Sequence, residues 1–367
     1  MSARYVRVDV VGRIMWEAAR YGLAFDQPLD LPGSPIDDEA FRSLVEEAHS
    51  QKLTGLVLDL VEDGTLATTD AQADLVAASA EAWFRHARLM DAEARAVHTT
   101  LGNAGLDHRF VKGAATAAYV YGDSLRRPYV DVDVAVRPQD LGAALPVLAR
   151  HGWRRCEPPQ RPQFDERFAS SVTLARGDNE LDVHRLLVHL PAGDLLPPAP
   201  AFDLEPRLVP IGGVLLPCLD WADSAVHAAA HATFDYGRTT FLLDARDIAG
   251  LATLAGPAAL DERAQAWGLS GIVVNAIVDA HEMLGLPADR QRVELTNGEQ
   301  RLLSLLRGHP TLTRLRTLTS WADRVSFAAG IAWPSRSYLR STGESRVGRL
   351  RSVSGTALQH LRHSVRQ

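Results

Sequence analysis

The chain has 367 residues, 46% of them hydrophobic, and a formal net charge of -6. That length and apolar fraction suffice for two or three structural units around a sizeable core, and the acidic balance argues against a general nucleic-acid binder while leaving room for a local basic patch. Two cysteines, Cys156 and Cys218, exclude a disulfide framework or a zinc cluster and make a reduced, cytoplasmic setting the expectation.

The opening residues, Met1 to Arg7, lack the apolar run of a signal peptide, and no stretch of about 18 apolar residues points to a membrane span. Up to about residue 105 the chain reads as helical. Asp37-Asp38-Glu39 is an acidic start before an amphipathic run to Ser50, and a second helix is predicted from Lys52 to Val61. A long helix from Thr69 to Leu101 carries Leu75, Ala82, Trp83, Ala87 and Leu89 at helical spacing, and Gly102 to Gly105 ends it.

The pattern then changes. Arg109 to Val111 is a short strand, Lys112-Gly113 a turn, and Ala114 to Tyr121 an alanine-rich helix. Tyr129 to Val136 alternates strictly as a strand, and Pro138 to Asp140 opens a helix to Arg150. Strands are predicted from Phe168 to Leu174 and from Glu180 to Leu187, around a turn at Arg176 to Asn179. A proline-rich stretch, Pro191 to Pro210, reads as a boundary or surface loop. Helices follow at 220–234, 239–254, 259–267, 270–285, 298–307 and 312–329. From Pro334 on, seven arginines face one glutamate, Glu344, as expected of a solvated or packed helix face, with a phosphate contact as the alternative. The fold class is therefore α+β, a small mixed β-sheet core at 106–190 flanked by helical regions at 1–105 and 191–367.

Three elements carry chemistry. Asp131 and Asp133 share one face of their strand, with valines on the other; Asp is disfavoured in strands and like charges on one face repel, so the pair calls for a cation. Two carboxylates gripping Mg²⁺, with substrate phosphates completing the shell, fit that need; the alternative is a solvated strand face. Lys112-Gly113 precedes a helix whose N-terminal N–H groups suit an anion, and Lys112 is one of only two lysines, with Lys52, in a chain that otherwise uses arginine. The alternative there is an ordinary turn glycine. Asp182 and His184 share a strand face; beside the first aspartate strand, Asp182 would complete a carboxylate triad. Without that neighbour it is a strand with polar ends. His227 and His231 lie at i and i+4 on one helix face, either lining a pocket or holding a metal, and Asp244 and Asp247 follow.

In this order, Val111-Lys112-Gly113-Ala114, Arg127-x-x-x-Asp131-x-Asp133 and Leu181-Asp182-Val183-His184 resemble the bacterial uncharacterised nucleotidyltransferase family of the DNA polymerase beta-like superfamily. His227-x-x-x-His231, Arg238, Phe241 to Asp244, and Pro334 to Arg340 extend the likeness. The superfamily's usual Gly-Gly or Gly-Ser is replaced by Lys112-Gly113. The resemblance implies Asp131, Asp133 and Asp182 as catalytic metal ligands for two Mg²⁺ ions, and Lys112, Gly113, Ala114 and Arg127 as nucleotide-binding residues. It implies transfer of an NMP from an NTP to a hydroxyl or phosphate of a small-molecule, sugar or peptide acceptor in a biosynthetic pathway. His184, His227, His231 and Asp244 are candidates for the substrate pocket. Two alternatives stand beside it: a nucleotide-binding protein without catalysis, and the same scaffold transferring a phosphoryl or glycosyl group.

Overall fold

The computed structural model describes residues 9–23, 28–188, 192–197, 200–237, 241–287, 290–306 and 310–345. Arg238 and the arginine-rich tail beyond 345 lie outside them. The N-terminal helices are α1 (Val10–Arg20), α2 (Asp38–Ser50), α3 (Thr54–Glu62) and α4 (Asp70–Asn103). The acidic start is a helix cap: Asp37 Oδ1 accepts hydrogen bonds from the N–H groups of Glu39 and Ala40, and Asp38 and Glu39 complement the helix dipole in the first turn.

Strand β1 (His108–Phe110) leads into α5 (Lys112–Thr116), which continues as a π-helical turn, Ala117–Tyr121, closed by Gly122 at φ +84°. Then come β2 (Asp131–Val136), a 3₁₀ turn at Pro138–Asp140 with α6 (Leu141–Arg150), β3 (Arg154–Arg155), α7 (Phe164–Phe168), β4 (Ser171–Arg176) and β5 (Asn179–His184). A hairpin of β6 (Arg207–Ile211) and β7 (Val214–Cys218) precedes α8 (Trp221–Tyr236), α9 (Leu242–Ala255), α10 (Pro257–Ala266) and α11 (Ser270–Leu284). Last are α12 (Asn297–Leu306), α13 (Pro310–Thr317), α14 (Trp321–Ala332) and α15 (Arg336–Ser341).

The seven strands form one mixed sheet in the order β3-β4-β5-β2-β1-β7-β6. Strand β7 runs parallel to β1, with Phe110 opposite Cys218; β3–β4, β4–β5 and β6–β7 are antiparallel. The chain divides into two compact units, and the division falls inside β2, after Asp133. The first comprises residues 1–98, 109–133 and 204–294. Its helices α8, α9, α10 and α11 pack on one another over Val226, Ala229, Ile248, Leu251, Val273 and Ile277, all buried. The second comprises 99–108, 134–203 and 295–367. There Phe164, Phe168, Leu318 and Phe327 form a core cluster, with Phe164 stacked on Phe327 at 5.7 Å between ring centres.

Several expectations need correction. The hairpin β6–β7 begins inside the stretch read as a linker: Pro210 and Pro217 conceal it, while Gly212 (φ +56°) and Gly213 (φ +84°) supply the two positive φ angles of a tight hairpin turn. Phe168 belongs to α7, not to a strand, because Phe164 and Phe168 at i and i+4 present one aromatic face to Phe327. Strand β5 stops at His184 rather than Leu187; the N–H groups of Arg185 and Leu186 both turn to Ser170 O. The helix read over 312–329 is two, α13 and α14, and Ser320 caps the second. Val130 lies ahead of β2 and is 43% exposed, whereas Asp133, read on a polar face, is buried.

Candidate active site

In the first unit the site is built on the junction of β1 and α5. The Val111 N–H donates to Asp133 O at 3.1 Å, tying the junction to β2. Lys112 adopts a left-handed conformation, φ 49°, rare for a residue with a side chain. Its Nζ donates to Asp133 Oδ1 at 2.7 Å, and the carboxylate side chain is only 4% exposed. A basic side chain of the chain itself thus meets one member of the aspartate pair. Asp131 is half-buried. Gly113 is a glycine for a local reason: a Cβ there would collide with Tyr129 and come within 3.3 Å of an Arg127 guanidinium nitrogen. Ala114 is buried behind it.

The loop leading into β2 is fastened on three sides. Arg126 Nε donates to Asp59 Oδ2 at 2.7 Å, and Ser124 and Tyr129 donate to the two oxygens of Asp91 at 2.9 and 2.6 Å. Arg127 lies flat against Asp247 on α9, with Nε at 3.0 Å and Nη2 at 2.6 Å from Oδ2, and the Tyr121 hydroxyl donates to the same carboxylate at 2.8 Å. Burial disfavours the Arg127 cation, yet the charge of Asp247 outweighs it and holds the guanidinium above its ordinary pKa. Burial, with the Asp247 charge second, pushes the Tyr121 hydroxyl well above its ordinary value.

Behind Lys112 and Arg127 lies a cavity of about 90 Å³, whose other walls are Thr116, Ser224, His227, Ala228, His231, Asp244, Asp247 and Ile248. His227 is buried and its ring lies 6.4 Å from that of Trp267, nearly parallel to it. The ring of His231 is nearly perpendicular to that of His227, and its Nε2 sits 3.0 Å from Asp235 Oδ2. Asp244 Oδ2 and Ser224 Oγ are buried with no hydrogen-bond partner among the described residues. Burial, then repulsion from Asp247, raises the Asp244 carboxyl to about 6. Lys52 is lowered, first by burial and then by Arg127, and feels the opposite pull of Asp131, Asp244 and Asp133. Both lysines of the chain thus belong to this neighbourhood.

In the second unit, the β4–β5 register sets Thr173 opposite Asp182 and Ser171 opposite His184. Thr173 Oγ1 donates to Asp182 Oδ1 at 2.6 Å, and His184 is buried. Asp131 and Asp133 in the first unit, and Asp182 and His184 in the second, have the donor chemistry for a divalent ion: hard carboxylate oxygens and an imidazole.

The first unit thus brings Lys112, Arg127, His227, His231 and Asp244 to one cavity, and Lys112 joins it to Asp133. Sequence reasoning gave Asp247 no firm role and missed Ser224 and Lys52. A signal for Asp247 existed, since Asp244 and Asp247 at i and i+3 share a helix face; none marked Ser224.

No curated protein matches the chain. Among solved structures, the solution structure of the antibiotic-resistance factor ANT(2'')-Ia is similar in part, at 14% identity and a TM-score of 0.33, over 47% of this chain and 87% of that one. The family model described as uncharacterised nucleotidyltransferase matches residues 37–285, which include β1, β2, β5 and the cavity walls on α8 and α9. The match spans well over half of the 367 residues, and the chain belongs to the uncharacterised nucleotidyltransferase family, a family of transferases.

Proposed function

We propose that the chain moves an NMP from an Mg²⁺-bound NTP to a hydroxyl or phosphate of a small-molecule, sugar or peptide acceptor. The observation that carries this reading is Asp133, a carboxylate buried on β2 inside the family match and neutralised by the ammonium of Lys112. A buried carboxylate needs a compensating charge, and a lysine ammonium that supplies it can give way to a metal ion.

In this reading Asp131 and Asp133, with Asp182, would hold the metal, and His184, on the same strand face as Asp182, is a further donor. When bound, the metal supplies charge neutralisation for the triphosphate and lowers the pKa of the attacking group. Lys112, released from Asp133, turns its ammonium to the phosphates, helped by the N–H groups of Gly113 and Ala114. Arg127, locked to Asp247, acts as a fixed positive wall rather than a mobile clamp. The acceptor oxygen bonds to the α-phosphorus as the bond from that phosphorus to the bridging oxygen breaks. Pyrophosphate leaves with the electron pair, and Asp182 takes the acceptor proton.

The test is a double substitution, Asp131→Asn with Asp133→Asn, assayed for Mg²⁺-dependent pyrophosphate release and for its melting curve. Release should fall by at least about 10³-fold while a cooperative melt persists. Full activity in the folded double variant would refute the mechanism.

A further inference from the structure

We infer that the cavity between α8 and α9 is a subsite for a primary ammonium group of the acceptor, held by Asp244 and Ser224. This rests on the nucleotidyl-transfer reading and narrows its acceptor to amine-bearing compounds.

Most charges around the cavity are already answered. Asp247 has both oxygens taken by Arg127 and Tyr121. Lys112 is held by Asp133, and His231 Nε2 is held by Asp235. Asp244 lines the same cavity, yet its Oδ2 is buried and no described residue donates to it. Ser224 is more than nine-tenths buried, lines the cavity from α8, and its Oγ likewise has no partner. A buried carboxylate oxygen without a donor costs free energy that folding alone does not recover. The nearby basic groups act on Asp244 through space, His231 first, then Arg127 and Lys52.

What would satisfy both atoms is a small cation with several N–H donors. An ammonium has three, enough for Asp244, Ser224 and one more acceptor. The cavity volume of about 90 Å³ equals about three waters, which admits an ammonium and a short carbon stem. Ala228 and Ile248 give that stem apolar walls. A phosphate is disfavoured there because Asp244 offers an unanswered carboxylate oxygen, while the two cations in the lining, Lys112 and Arg127, are engaged by Asp133 and Asp247. Lys112 borders this cavity and also touches Asp133, so an ammonium held here would leave the rest of the acceptor beside the aspartate strand.

The probe is methylammonium chloride, titrated at pH 7.5 and constant ionic strength into the full chain, with sodium chloride and methanol as comparison arms. The readout is methyl NMR of Ile248, labelled at its δ1 carbon. For a ligand of about two non-hydrogen atoms the dissociation constant should be about 10 mM or weaker. We expect a saturable Ile248 shift with methylammonium and none with sodium or methanol. Asp244→Asn, which keeps shape and removes charge, should weaken binding at least about 10-fold, and Ser224→Ala about 2- to 10-fold. An equal shift in Asp244→Asn and the parent chain, or a response to sodium or methanol matching that to methylammonium, would overturn the subsite. The titration contains no nucleotide. A chain that releases pyrophosphate but shows no Asp244-dependent shift overturns the subsite alone, and one that binds methylammonium through Asp244 but releases none overturns the transfer reading alone.

Discussion

Two carboxylates sit one turn apart on α9 with opposite fates. Asp247 is enclosed by the guanidinium of Arg127 and the hydroxyl of Tyr121, whereas Asp244 faces a cavity with one oxygen unanswered. The same helix produces a structural rivet in one case and a destabilised group in the other. Proteins tolerate such unsatisfied groups mainly where binding uses them, so the contrast separates scaffold from site without reference to any ligand.

Breaking the rivet should have the largest effect. Asp247→Ala leaves Arg127 buried without its counter-charge, and chemical denaturation should show a loss of about 3–5 kcal/mol. A loss below about 1 kcal/mol would mean that Arg127 escapes to solvent and that the two carboxylates are not so different. The second effect has the opposite sign. The Asp244 carboxyl is raised to about 6 in the folded chain, above its unfolded value, so the folded state holds this proton more tightly. The penalty is therefore fully present above about pH 6 and is relieved as pH falls towards the unfolded value. Asp244→Asn should stabilise the chain by about 2–3 kcal/mol at pH 7.5 and by much less at pH 4.5, read as the difference between variant and parent melts.

Gly113→Ala comes next. Its methyl group meets Tyr129 beside Arg127, and a cost of about 1–3 kcal/mol is expected from overpacking. That result would show the glycine serving the packing of the rivet side as well as any phosphate. Ser224→Ala should have the smallest effect, within about 0.5 kcal/mol of the parent chain, because the hydroxyl has no partner among the described residues to lose. A loss above about 1.5 kcal/mol would show an internal hydrogen bond and place Ser224 with the scaffold.

Much of this was legible in the sequence because its signals are local. Alternation marked β2 from Asp131 onward, helical spacing marked α4 and α8, and Asp37 announced α2. The pairing of like charges at Asp131 and Asp133 led to a metal ion as the expected partner, whereas the contact from Lys112 Nζ to Asp133 could not be read from the sequence because 21 residues separate the two. What stayed hidden depends on partners distant in the chain. The Arg127–Asp247 pair spans 120 residues, and Gly113 is explained only by Tyr129 folding back over it. The β6–β7 hairpin was concealed by its prolines, and the break between α13 and α14 carries no proline or glycine to mark it. Ser224 looked like any helix serine until α9 was packed against α8.

In the proposed function, Asp131 and Asp133 serve transfer of a nucleotide rather than of a bare phosphate or a sugar. The most direct test is mass spectrometry of acceptor mixtures incubated with the full chain, Mg²⁺ and the four ribonucleoside triphosphates, beside the Asp131→Asn, Asp133→Asn double variant. The expected product is heavier than its acceptor by one nucleoside monophosphate, formed by the parent chain and absent with the variant. A product carrying only phosphate or a sugar, or equal product from the folded variant, would contradict it.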